Sequence, residues 1–63
     1  MTNQEIRDAV KDLDIGYFKL NYKSGVHYGI IEDFFGGKTD DLSPKDRVRI
    51  ISVIISEAKK KKK

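Results

Sequence analysis

No cysteine occurs among the 63 residues, which excludes disulfide staples and thiolate-ligated zinc as sources of stability. A chain this short buries a small share of its surface, so without such staples the fold must lean on strong local structure or on self-association. The same absence fits a reducing compartment. Only one histidine, His27, and one proline, Pro44, are present. No long apolar run occurs either: the longest, Ile50 to Ile55, is interrupted by Ser52 and falls far short of the roughly 20 residues that a membrane helix needs. The opening Met1-Thr2-Asn3-Gln4-Glu5 has neither the basic start nor the apolar stretch of a secretory leader. A soluble cytoplasmic protein with no membrane span is expected.

What is abundant is charge, and it is unevenly placed. Of thirteen basic residues, five are Lys59 to Lys63; the other eight stand against ten acidic residues and leave the body at −2, although the whole chain is +3. Attraction to a polyanion is therefore concentrated in the lysine run. The chain divides into a single domain over residues 1–58 and a basic, disordered tail over 59–63.

Local signals define the elements of that domain. Thr2 and Glu5 have the spacing of a capping box, and Ile6, Ala9, Val10 and Leu13 follow at i, i+3, i+4 and i+7, which predicts a helix over about 3–13, ended by Gly16. Tyr17 to Lys23 then alternates, with Phe18, Leu20 and Tyr22 on one face, as a half-buried strand does. Lys23-Ser24-Gly25 suits a three-residue hairpin loop into a second strand from Val26 to about Phe34. That loop pairs Tyr22 with Val26, Leu20 with Tyr28 and Phe18 with Ile30, so that turn chemistry and hydrophobic pattern choose one register. Ser43-Pro44-Lys45-Asp46 opens a second helix, with Ser43 as N-cap, Pro44 in the first helical position and Asp46 in the first turn.

The β-branched residues Val48, Ile50, Ile51, Val53, Ile54 and Ile55 would also suit a third strand, but the caps at both ends favour a helix from Pro44 to about Lys60. On that helix the apolar arc is wider than a hairpin and one short helix can cover. Ile50, Val53 and Ile54 are accordingly candidates for an interface with a second copy of the chain or another protein. The resulting fold class is α+β, an α-β-β-α order with two helices packed on one face of an antiparallel β-hairpin.

No constellation of catalytic groups accompanies these elements. Gly36-Gly37-Lys38-Thr39 ends like a phosphate-binding loop, but Glu32 occupies the position of its first glycine, so a flexible exit from a strand is the better reading. His27 has no second histidine or cysteine to share a metal, no ligand spacing surrounds Glu32-Asp33 or Asp40-Asp41, and no serine has a nearby base. The chain is expected to be no enzyme and to need no cofactor or metal.

The wet face of the hairpin would bring Tyr17, Lys19, Lys23 and His27 together, a mixture that can stack bases and neutralise phosphates. Phe18 to Gly25 together with Gly29 to Phe34 resembles the first hairpin of Sm-like RNA-binding proteins, which also follows an N-terminal helix. The likeness covers under a third of the chain, its two glycines are one residue too close, and the remainder opens as a helix where that family has three further strands. The family's function is therefore not carried over. The function expected is that of a non-enzymatic accessory or regulatory module, a homodimer or the binder of a protein partner, with weak nucleic-acid affinity through Lys59, Lys60, Lys61, Lys62 and Lys63. The alternative is a small nucleic-acid-binding protein that uses the outer hairpin face and those lysines directly.

Overall fold

The computed structural model describes residues 1–61, and among them the chain forms four helices and no strand: α1 Asn3–Asp12, α2 Tyr17–Ser24, α3 Tyr28–Phe35 and α4 Pro44–Lys61. The domain is all-helical, which corrects the α+β expectation. Both segments assigned to the hairpin are helices, and the likeness to an Sm-like first hairpin disappears with it.

The physical reason lies in the side chains that reach the core. Leu20 is fully buried while Phe18 and Tyr22, which alternation placed beside it, are each 78% exposed. Positions 18 and 22 are one helical turn apart, so the aromatics that suggested an apolar strand face share the wet face of a helix instead. In α3 the buried pair is Ile31 and Phe34, at i and i+3. With Ile6, Val10, Ile15, Val26, Ile50, Val53 and Ile54 they complete one core. The helix α2 packs against α3 and α4, and α1 packs against α4.

Helix ends account for most of the connecting geometry. The capping box of α1 is present: Glu5 N–H donates to the Thr2 hydroxyl at 3.1 Å and Thr2 N–H donates to the Glu5 carboxylate at 2.7 Å. The end of α1 differs from expectation, because Asp14 at φ 55, not Gly16, takes the left-handed position. Asp14 N–H then donates to Lys11 C=O and Ile15 N–H to Val10 C=O, the paired bonds of a Schellman cap, with Val10 and Ile15 both in the core. Gly16 serves instead as the N-cap of α2, where it offers no side-chain bond. A second Schellman cap ends α3, with Gly37 at φ 83 and Lys38 N–H donating to Asp33 C=O at 2.9 Å. Gly36-Gly37-Lys38 is thus a helix terminus whose N–H groups donate back to Glu32, Phe34 and Asp33 carbonyls.

Ser43 caps α4 as expected, its hydroxyl accepting from Asp46 N–H at 3.2 Å. The helix continues through Lys61, so the boundary drawn at residue 59 falls inside α4, and the tail residues Lys62 and Lys63 lie outside the described residues.

Gly25 has φ 77, the positive value a hairpin loop would require, but here it terminates α2. Its replacement by valine places a β-branched residue in the left-handed region and is expected to cost about 1–3 kcal/mol. Thermal melts followed by circular dichroism should show the loss, with Gly25→Asn much milder. A Gly25→Val chain melting with the wild type would contradict this turn.

Candidate functional site

Two eight-residue helices joined by Gly25, Val26 and His27 form the most defined feature of the surface. The turn is closed from both sides by side chains. The Ser24 hydroxyl donates to Leu20 C=O and accepts from Val26 N–H at 3.1 Å, and the Asn21 amide donates to Val26 C=O at 2.6 Å. His27 is the N-cap of α3, its Nδ1 accepting from Gly29 N–H at 3.1 Å. Beneath the turn, Leu20, Val26, Ile31 and Phe34 each have at most 1% of their surface exposed. Four buried side chains spaced around one left-handed glycine fix how α3 stands on α2, and they leave His27, Tyr28, Glu32 and Asp33 exposed and Gly29 half-buried.

The far end of α3 is tied to α1 by Arg7. Its Nε donates to Phe34 C=O at 3.0 Å, and its Nη2 donates to Thr39 C=O at 3.0 Å and to the Asp40 carboxylate at 2.8 Å. The guanidinium lies over the Phe34 ring, 4.4 Å from its centroid. Arg47 also reaches across, donating to the side chain of Asn3, which joins α4 to α1.

Behind the turn, α2 and α4 meet around Glu57, a carboxylate only 6% exposed. It pairs with Lys19 at 2.7 Å, Lys60 at 3.4 Å and Lys23 at 3.7 Å. The hydrogen bond from Lys19 holds the Glu57 carboxyl below the usual carboxylate range against the opposing effect of burial, with further help from the charges of Lys19 and Lys60. Lys60 beside Lys23 pushes the Lys23 ammonium down. A carboxylate whose folded pKa is depressed stabilises the fold above its unfolded pKa, and that contribution is lost as pH falls through the folded value. Glu5, lowered by its bonds to Thr2, adds to the same acid limb. Glu57→Gln is therefore expected to melt lower at neutral pH and to lose part of the wild type's decline below the carboxylate range. Melting temperatures that run parallel for both chains from neutral to acid pH would contradict this.

Of the residues picked out from the sequence, the helical fold brings Lys19, Lys23 and Lys60 together at Glu57 and separates Tyr17 and His27 from them. Tyr17 is half-buried with its ring 5.9 Å from Phe35, Lys19 and Lys23 are engaged by Glu57, and His27 is occupied as a cap. Ile50, Val53 and Ile54 belong to the core of the single chain, and the exposed apolar residues of α4 are Val48 and Ile55. Lys60 pairs with Glu57, Lys61 donates to Leu13 C=O at 2.8 Å, and Lys59 is exposed. Residues that sequence reasoning passed over are Tyr28, Gly29 and Glu32 on the outer side of α3, together with Arg7 and Glu57. The readable signal for the first group was the spacing of Leu20, Val26, Ile31 and Phe34 around Gly25.

Among the described residues no three metal-ligating side chains converge, and no helix is long and apolar enough to cross a membrane. Comparison with protein-family models, curated proteins and solved structures finds no match to this chain.

Proposed function

We propose that this chain binds double-stranded DNA as a helix-turn-helix domain, with α3 as the helix that enters the major groove. The observation that carries this reading is the turn: two short helices, a three-residue connection with a left-handed glycine, and four buried side chains that hold the second helix with its outer side bare. A helix-turn-helix reader presents its second helix in this way, reading bases from the N-terminal part while the first helix crosses the backbone. The N-terminus of α2 supports it, because Gly16 leaves the first N–H groups of that helix without a side-chain cap and such groups suit phosphate oxygens.

Electrostatics set the expected strength. The body is slightly acidic, α3 carries no lysine or arginine, and the attraction must come from Lys38, Lys45, Arg49 and the lysines ending α4. Affinity for mixed-sequence DNA should therefore sit in the weak non-specific range, Kd on the order of 10⁻⁴–10⁻⁶ M. Fluorescence anisotropy of a labelled mixed-sequence duplex and of its single strand, between about 50 and 200 mM salt, tests the reading with the full chain. The duplex should bind more tightly, and Glu32→Lys, a change at an exposed position, should raise its affinity and steepen the salt dependence by about one counterion. Equal binding of the single strand, with Glu32→Lys indistinguishable from the wild type, would mean that the lysine run alone attracts polyanions.

A protein-contact module is the second reading, and Phe18 and Tyr22 favour it. They stand one turn apart on α2, both 78% exposed, where a duplex-binding helix gains more from cationic side chains. Light scattering of the chain alone distinguishes the two: self-association lost in Phe18→Ser/Tyr22→Ser would support the protein contact.

A further inference from the structure

Glu32 stands on the outer side of α3, one turn beyond Gly29, and is exposed. Among the described residues its carboxylate has no hydrogen-bond or ion-pair partner. Asp33 is exposed beside it, but its backbone carbonyl receives Lys38 N–H at 2.9 Å and Thr39 N–H at 3.3 Å in the cap that closes the helix, which places Asp33 toward the C-terminal end. Gly29 is half-buried under the His27 ring, and Glu32 is the exposed long side chain one turn on.

We infer that Glu32 is a specificity-determining residue that selects cytosine in a DNA duplex, a reading that rests on the duplex-binding function proposed for α3. An ionised carboxylate only accepts hydrogen bonds. In the major groove guanine offers two acceptors, thymine an acceptor and a methyl group, and adenine an acceptor next to its amino donor. Cytosine alone offers the N4 amino group without a neighbouring acceptor on the same base. A glutamate on the reading helix therefore finds a donor unopposed by an acceptor on the same base only at cytosine. The absence of lysine and arginine from α3 removes the side chains that would otherwise favour guanine, so the acidic character that weakens general affinity sharpens the choice of base.

The test is selection from a duplex library randomised over about one helical turn, retained on the immobilised full chain at low salt and sequenced, for the wild type, Glu32→Gln and Asp33→Asn. Circular dichroism confirms that all three chains are helical. The wild type should enrich cytosine over the other bases at one position by about five- to hundred-fold. Glu32→Gln should move that position toward adenine, whose N6 and N7 suit an amide, while Asp33→Asn leaves it unchanged. Retained duplexes without a cytosine preference, or a preference indifferent to Glu32→Gln, would overturn the role of Glu32 and leave duplex binding standing. Retention of no duplex by any of the three folded chains would overturn both.

Discussion

Phe34→Ala is expected to leave the chain predominantly unfolded at room temperature. Phe34 is fully buried, meets the Phe35 ring edge-on with centroids 5.0 Å apart, and supports the Arg7 guanidinium on its face. Truncating a buried phenylalanine to alanine costs about 3–5 kcal/mol, from the lost transfer free energy and the cavity left behind. A domain of this size without disulfides or metal has roughly that much stability in total. Urea titration followed at the helical band should show a cooperative transition for the wild type and a featureless, largely unfolded signal for Phe34→Ala. Phe34→Leu, which keeps most of the volume, should restore a transition at a lower midpoint. A Phe34→Ala chain with a near-native midpoint would show that the α3 core collapses around the gap and that the turn does not depend on this ring.

Phe34 also shows where sequence reasoning succeeded and where it failed. Its apolar character was plain, but its element was misassigned, and the cause is length. Helices of eight residues complete about two turns, so the helical period of Tyr17–Ser24 rests on only a few buried positions, while the alternation of Phe18, Leu20 and Tyr22 was just as visible. The register test of the supposed hairpin was self-consistent because Val26, Tyr28 and Ile30 also alternate. Gly25 fitted either reading, since a left-handed glycine closes a hairpin loop and ends a helix equally well. In contrast, Thr2 with Glu5 and Ser43 with Pro44 act within one turn of backbone and need no tertiary context, so the starts of α1 and α4 were legible. The β-branched run in α4 did not override its caps, because Ile50, Val53 and Ile54 form one buried stripe in the structure.

The site was less legible than the fold. Tyr17, Lys19, Lys23 and His27 were grouped by a strand face that does not exist; on the helices Lys19 and Lys23 stay together at Glu57, while Tyr17 turns to Phe35 and His27 caps α3. Glu57 lies beside a run of lysines, where a charged residue reads as solvated; its burial follows from the approach of α2, which brings Lys19 and Lys23 to it. Arg7 likewise looked like one charge on the wet side of an amphipathic helix. Its carbonyl partners come from the last turn of α3, at Phe34, and from the chain after it, at Thr39.

Arg7→Ala is expected to be the most destabilising change outside the apolar core, at about 2–3 kcal/mol, the scale of hydrogen bonds made by a charged donor, although the Phe34 carbonyl also accepts from Gly37 N–H at 3.3 Å. Its side chain is 19% exposed, whereas that of its acidic partner Asp40 is 81% exposed. A pair so one-sidedly exposed contributes little by itself, so most of the loss must come from the carbonyls of Phe34 and Thr39 and from the uncovered Phe34 ring. Two controls separate these contributions. Asp40→Ala should shift the urea midpoint by the equivalent of less than about 1 kcal/mol, and the cost of Arg7→Ala should persist in high salt, where an exposed ion pair is screened. Arg7→Lys keeps the charge but not the planar fork that serves several acceptors at once, and should recover at most about half of the loss. If Asp40→Ala proves as costly as Arg7→Ala, the ion pair and not the carbonyl bracket holds the end of α3. If the bracket is confirmed, α3 is fixed at both ends, by the Gly25 turn at its start and by Arg7 at its finish, and an outward row of residues presented in one orientation is what reading a groove requires.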